Sequence, residues 1–411
     1  MSRRSALDKR RRARKSRKQD GRRLREDEFF NDLCGDIKDD QLIPIIGDTV
    51  RNEHIFDVDF DRYLGIVEDG DEDEDGDEDE DGGGMDDEQI LVEHARNITE
   101  KLAELWADEE DVGYPLADRY RMARVAQFLS LKTGSFRAKK GYLNFQKSLL
   151  LEIARDKAEK EEDDEGLDIV ASLERQRELN FPDIVSELDF PRFPDGKEDP
   201  LDILAQLPLS IYLTTGYYDF MERALIAADK VPRTQLCLWN LAPTNVAPEH
   251  RPDPTYTPTK ENPLVYHLYG FEKYPISMVL SEDDYLTFLW KLARDELDQS
   301  GDRIFPYDLE AELRQSSLLL LGYRLQDWDF RVLFRGLLAA HPEFIQQRRP
   351  SVAIQLDPKE QPDVANVQEA CFYLREYFDT ANFRVQWGNS DDFIAKLKQE
   401  WQQWIAGGQT Q

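Results

Sequence analysis

Two short segments join a glycine to hydroxyl, carboxylate or guanidinium groups directly after an apolar run. One is Gly322-Tyr323-Arg324, which follows the leucines Leu318 to Leu321; the other is Gly47-Asp48-Thr49, which follows Leu42-Ile43-Pro44-Ile45-Ile46. The loop at the carboxyl end of a parallel strand, close to a helix amino terminus, is where nucleotides tend to bind. Arg324 has the fork geometry for a bidentate phosphate contact, although an exposed loop arginine reads the same way. A single glycine does not make a phosphate-binding loop, and a core βα unit without any ligand fits these residues equally well.

The elements that position these groups follow from periodicity. Four consecutive leucines, too short for a membrane and closed by Gly322, suit a strand buried on both faces. Beyond the turn, Asp327 or Asp329 can cap a helix. Its apolar residues Phe330, Leu333, Phe334, Leu337 and Leu338 recur at i, i+3, i+4, i+7 and i+8. Strands are also expected at 42–46, 209–215, 264–268, 351–356 and 383–387, most of them followed by helices or long crossovers. Six such strands predict an α/β fold, a Rossmann-like open parallel sheet with helices on both faces. Residues 89–165 read as helices, with Ile90, Leu91, His94, Ile98, Leu102 and Leu105 near one face, and His94 is taken as a packing residue. Lys157 to Gly166 reads as an exposed charged stretch, and Phe181 to Pro208 as a proline-rich linker or loop. Ser281 is expected to cap a helix running through Tyr285, Phe288 and Leu289. Asp219 and Glu222 suit the first turns of a helix, where negative charge complements the dipole. Trp401 and Trp404 suit terminal-helix packing better than an exposed partner-binding edge.

Composition narrows the function classes. With 411 residues, 40% hydrophobic and 11% aromatic, the chain can bury a real core and is not globally disordered. Cys34, Cys237 and Cys371 lie far apart and the five histidines show no ligand spacing, so reduced thiols and no metal site are expected. No apolar amino-terminal segment accompanies Arg3-Arg4, and no run nears the roughly 20 apolar residues that span a bilayer, so a cytoplasmic location is expected. Residues 1–25 form a basic arm of charge +11 and residues 68–88 an acidic run of −15; the remainder carries −27 of the net −31. So acidic a body repels nucleic acid, which is left only the arm. The arm is read as mobile or as neutralising the acidic run, which itself cannot bury anything and is read as a disordered insertion. A protein partner or a homo-oligomer fits this layout better than a membrane.

The succession IPIIG, LPLSIYLTTGYYDFMERAL, VYHLYG, MVLSEDDYLTFL, LLLLGYRLQDWDFRVLFRGLL and SVAIQLDP resembles bacterial sirtuin-like domains, the defence-associated type that hydrolyses NAD. The resemblance implies one domain over 26–405, with 89–165 as its helical insertion and 406–411 as a tail. It implies NAD as ligand, held by Gly47, Asp48, Thr49, Thr215, Gly216, Tyr217, Gly322, Tyr323 and Arg324. The implied chemistry, cleavage of the nicotinamide–ribose bond, uses an asparagine in a Thr-Thr-Asn-Tyr-Asp motif and a histidine just before a glycine. This sequence has Gly216 in the first position, within Thr214-Thr215-Gly216-Tyr217-Tyr218-Asp219, and Tyr269 in the second, before Gly270. A phenol of pKa near 10 is a poor base at neutral pH. His267, two residues back on a strand, would share the face of Tyr269 about 6.6 Å away. The first loop also carries a carboxylate, Asp48, where the family has Gly-x-Gly. Three readings follow: a nucleotide-binding sensor or scaffold with weakened or lost hydrolysis, an active NAD hydrolase using displaced groups such as His267, Asp219 or Tyr269, and an interaction module that binds no nucleotide.

Overall fold

The computed structural model describes residues 28–56, 97–109, 111–176, 179–191, 193, 196–295, 304–324, 328–338, 349–361 and 364–408. The basic arm, the acidic run, His94 and Asp327 lie outside the described residues. Among the described residues seven strands form one parallel sheet: β1 Leu42–Ile46, β2 Ile211–Thr214, β3 Arg233–Leu236, β4 Leu264–His267, β5 Ser317–Leu321, β6 Ser351–Gln355 and β7 Phe383–Trp387. Their order is β3-β4-β2-β1-β5-β6-β7. The chain starts in the middle at β1, builds outward through β2 to one edge, then crosses back to β5 and builds to the other. The strand order therefore reverses at β1, the point at which open α/β sheets bind ligands.

The leucine run explains why the sheet is covered on both sides. Leu318 and Leu320 join a core that includes Ile43 and Ile45, whereas Leu319 and Leu321 join a second core with Leu42 and Ile46. All four leucines are at most 1% exposed, each contributing about 1.5–3 kcal/mol of hydrophobic burial. The first core is roofed by helices Ile98–Asp108, Met122–Thr133 and Ser135–Lys160, which supply Trp106, Val125, Leu150 and others. The second is covered by the helix at 28–38, by Pro200–Gln206, by Phe220–Ala227 and by the terminal helix Ser390–Gly408. In that last helix Trp401 stacks on Trp404 at 5.6 Å, and the Trp404 indole donates to Asn31 at 3.0 Å, which is the packing arrangement.

Several expectations need correcting. To the six strands expected, the described residues add a seventh: β3 is a four-residue edge strand of sequence Arg-Thr-Gln-Leu, too short and polar to show a period. Phe181 to Pro208 is not a linker, because Phe181–Glu187 and Pro200–Gln206 are helices whose prolines stand in the first turn, where no backbone donor is lost. The charged stretch Lys157 to Gly166 is largely exposed, as expected; it forms the end of one helix and the start of another, Asp164–Arg175, which Asp163 caps through Gly166. Ser281 does cap the helix Glu282–Asp295: its hydroxyl accepts from the Asp284 amide at 3.3 Å while Asp284 accepts from the Ser281 amide at 2.9 Å.

Candidate functional site

Three loops leave the carboxyl ends of the central strands β1, β2 and β5 and are tied to one another. The Gly47 amide donates to Leu321 O at 2.9 Å and the Thr215 amide to Ile46 O at 3.0 Å. The Thr49 hydroxyl donates to Gly322 O at 2.5 Å, and the Thr215 and Tyr323 hydroxyls meet at 3.0 Å. Gly47 is required for this closeness, since a Cβ there would lie 2.6 Å from Gly322 O. Gly322 itself has φ +72°, a left-handed conformation that favours glycine, and its amide donates to the Ser390 hydroxyl at 3.1 Å.

Above these loops, beneath the helical roof, lies a cavity of about 710 Å³, within the range of small-molecule and cofactor sites. Its floor is Gly47, Asp48, Thr49, Thr215, Gly322 and Tyr323. Its walls hold Tyr217, Tyr269, Leu280 and Tyr285, and its roof holds Tyr120, Arg121 and Tyr142. Six tyrosines thus face one space, with Arg121, Arg124 and Arg331 also on its lining. Aromatic faces suit a planar base, and guanidinium groups suit phosphate. Arg124 is engaged with Asp118 and with Glu282, the latter at 3.2 Å. Tyr217 is fixed by donation to Val279 O at 2.8 Å, while burial and the nearby Asp48 carboxylate push the Tyr142 phenol upward, so it stays protonated. Lys139, 1% exposed, reaches from the roof to Asp284 at 2.9 Å; that carboxylate holds the Leu280 and Ser281 amides, so the roof and the wall are locked together.

Of the sequence-level site residues, Gly47, Asp48, Thr49, Thr215, Tyr217, Tyr269, Gly322 and Tyr323 converge on this cavity. Gly216 lines a small pocket of about 30 Å³ beneath it, shared with Asp48. The other three lie elsewhere. Asp219 accepts from Arg223 Nε at 2.8 Å, and the same guanidinium reaches Asp183 at 2.6 Å, tying the helix Phe220–Ala227 to its neighbour Phe181–Glu187. Arg324 sits close enough to Glu53 to draw its carboxyl down against the stronger upward push of burial. His267 is fully buried and does not share the wall with Tyr269. β4 ends at His267, so the alternation of a strand stops before Tyr269 is reached. Its Nδ1 meets Gly216 O at 3.0 Å and its Nε2 meets Glu222 Oε1 at 2.9 Å. Glu222 does stand in the first turn of the helix Phe220–Ala227, as expected, and there it is also the buried ion-pair partner of His267.

The Glu272 amide donates to Tyr217 O at 2.8 Å; its side chain is half-buried, with a buried Oε1 that has no hydrogen-bond partner among the described residues, and burial pushes the carboxyl up to about 7. Because the folded state then holds this proton more tightly than the unfolded chain, stability falls as pH rises from 4.5 to about 7. Glu272→Gln should accordingly stabilise the protein by on the order of 1–3 kcal/mol at pH 8 and have little effect at pH 4.5, as read by urea unfolding.

Residues 210–378, from β2 into the helix Val367–Asp379 that follows β6, are similar to the SIR2-like domain and match its family model. A curated relative, the NAD(+) hydrolase ThsA of Bacillus cereus (strain MSX-D12), is 26% identical over 161 residues, covering 39% of this chain and 28% of that protein. The chain thus matches less than a third of that relative's length.

Among the described residues no group of three or more His, Cys, Asp or Glu could hold a metal ion, and no helix is long and apolar enough to cross a membrane.

Proposed function

We propose that the cavity binds NAD or ADP-ribose and that the protein serves as a nucleotide sensor or scaffold in a bacterial defence-type system, with NAD hydrolysis weakened or lost. The observation that carries this reading is the tyrosine-lined cavity at the strand-order reversal of a SIR2-like domain. The residues fit such a ligand: the volume suits a dinucleotide in part or whole, rings are available for its bases, and arginines for its phosphates. NAD would supply a ribose–nicotinamide bond with a neutral leaving group. The groups the resemblance assigns to breaking that bond are an asparagine at the position of Gly216 and a histidine at the position of Tyr269, and neither is present. His267, the nearest imidazole in sequence, is committed to Glu222 and Gly216 O away from the cavity. Among the described residues the lining offers no imidazole to accept a proton from water or from a ribose hydroxyl.

A sensor or scaffold of this kind acts through a protein partner or a homo-oligomer. The location we assign is the cytoplasm, where thiols stay reduced. Similarity to an NAD(+) hydrolase favours the second reading, an active hydrolase. Calorimetry with NAD and ADP-ribose, run beside chromatographic measurement of nicotinamide, separates the two. Binding without nicotinamide above the protein-free control is the expected result. Sustained release would establish the hydrolase, and absence of binding would leave only the interaction module.

A further inference from the structure

In the usual arrangement a diphosphate sits on the glycine turn after the first strand, held by backbone amides. Here several of the polar groups around that turn are already used within the protein. The Gly47 and Gly322 amides serve Leu321 O and Ser390 Oγ, the Thr49 hydroxyl serves Gly322 O, and the Gly216 amide serves Thr214 Oγ1 at 2.9 Å. The helix that follows, Thr49–Ile55, has only seven residues. In place of a cradle the turn presents a carboxylate. Asp48 lies over Gly216: a Cβ on that glycine would come 2.7 Å from Asp48 Oδ1 and 3.1 Å from Thr214 Oγ1. The missing side chain at 216 is what gives the carboxylate its position, and from there it borders both the cavity and the small pocket below.

We propose that Asp48 is the sugar-recognising group of the cavity, accepting hydrogen bonds from a ribose cis-diol, and that the diphosphate is directed away from the Gly47–Thr49 turn toward the guanidinium of Arg121. A carboxylate with two acceptor oxygens matches the two hydroxyl donors of a diol, and it repels a diphosphate by like charge. Arg121 stands on the cavity lining in the roof, with its guanidinium 5.7 Å from the centre of the Tyr120 ring. The proposal rests on the reading of the cavity as a nucleotide site and reverses the polarity that reading would ordinarily carry.

The sign of one substitution decides it. Asp48→Asn keeps the shape and removes the charge. ADP-ribose affinity, measured by calorimetry on the full chain, should fall about tenfold or more, since a charge-assisted bond to a half-buried acceptor is lost. Inorganic pyrophosphate, which has no diol, should bind the variant as well as or better than the parent. Arg121→Gln should weaken both ligands. Tighter ADP-ribose binding by Asp48→Asn would show that the carboxylate faces the phosphates, and an equal loss of both ligands would show a structural role; either overturns the assignment. If the parent protein binds neither ligand, the nucleotide reading itself fails, an outcome distinct from these two.

Discussion

Gly270→Ala is expected to lower the stability of this protein by about 2–5 kcal/mol and to disorganise the cavity wall. Gly270 has φ +99°, which costs an L residue about 1–2 kcal/mol. Sterics add to this: a Cβ would lie 2.4 Å from both the carbonyl carbon and the oxygen of Ser277 and 2.6 Å from the Met278 amide. These are backbone atoms and cannot rotate aside, so the Ser277–Met278 segment must shift, at about 1–3 kcal/mol. Displacing it moves Val279, whose amide donates to Tyr269 O and whose carbonyl accepts from the Tyr217 hydroxyl, both at 2.8 Å. Two ring-bearing walls of the cavity are therefore coupled to one missing methyl. Gly388→Ala is the control: φ there is +139°, with nothing within 4 Å of the added carbon, so only the conformational cost of about 1–2 kcal/mol applies. Urea unfolding of both variants tests the account; equal losses would show that the close approach to Ser277 does not matter.

The parts of this molecule legible in the sequence are those whose environment repeats along the chain. β5 faces a core on each side, so it reads as unbroken leucine, and the glycine that ends it marks the loop on the cavity floor. The amide and hydroxyl chemistry of the floor could likewise be placed, because each loop directly follows a strand. β3 could not, since an edge strand of Arg-Thr-Gln-Leu satisfies no period, and neither could helices that open on Pro182 or Pro200. The roof is illegible for a different reason. Tyr142 lies on an apolar helix face and is indistinguishable there from any core aromatic until folding brings it over Asp48 and Tyr217. Arg121 and Arg331 come from segments 210 residues apart and share no motif. Glu222 shows the limit most clearly. An acidic residue in a first turn is ordinarily solvated, and only the pairing of β2 with β4, which sets Thr214 beside His267, reveals a buried partner for it.

That partner supplies a second large effect, with a defined pH dependence. His267 is 0% exposed and Glu222 5%. Both His267 nitrogens face acceptors, Gly216 O and Glu222 Oε1, and that carboxylate oxygen also accepts from the Thr234 hydroxyl at 2.7 Å. The arrangement calls for an imidazolium beside a carboxylate. Burial alone would push each group toward its neutral form; their mutual attraction outweighs it, so the His267 pKa is raised and the Glu222 pKa lowered. A raised histidine contributes stability that is complete below its unfolded value of 6.5 and is lost as pH climbs through the folded value. A lowered glutamate contributes stability that is complete above 4.5 and is lost as pH drops through its folded value. The pair therefore contributes fully between pH 4.5 and 6.5. Glu222→Gln removes the charge and leaves His267 buried without its counter-ion, at a cost of about 3 kcal/mol in that window. Above it His267 can shed its proton, in the parent as in the variant, so the difference should narrow by pH 8.5. Urea unfolding at pH 5.5 and pH 8.5 measures this, and a difference that stays constant across the two would refute the ion pair. The consequence reaches the site as well: the imidazolium holds Gly216 O from below while Asp48 lies over the same residue from above, so the glycine that replaces an asparagine is fixed between a buried cation and the carboxylate of the cavity floor.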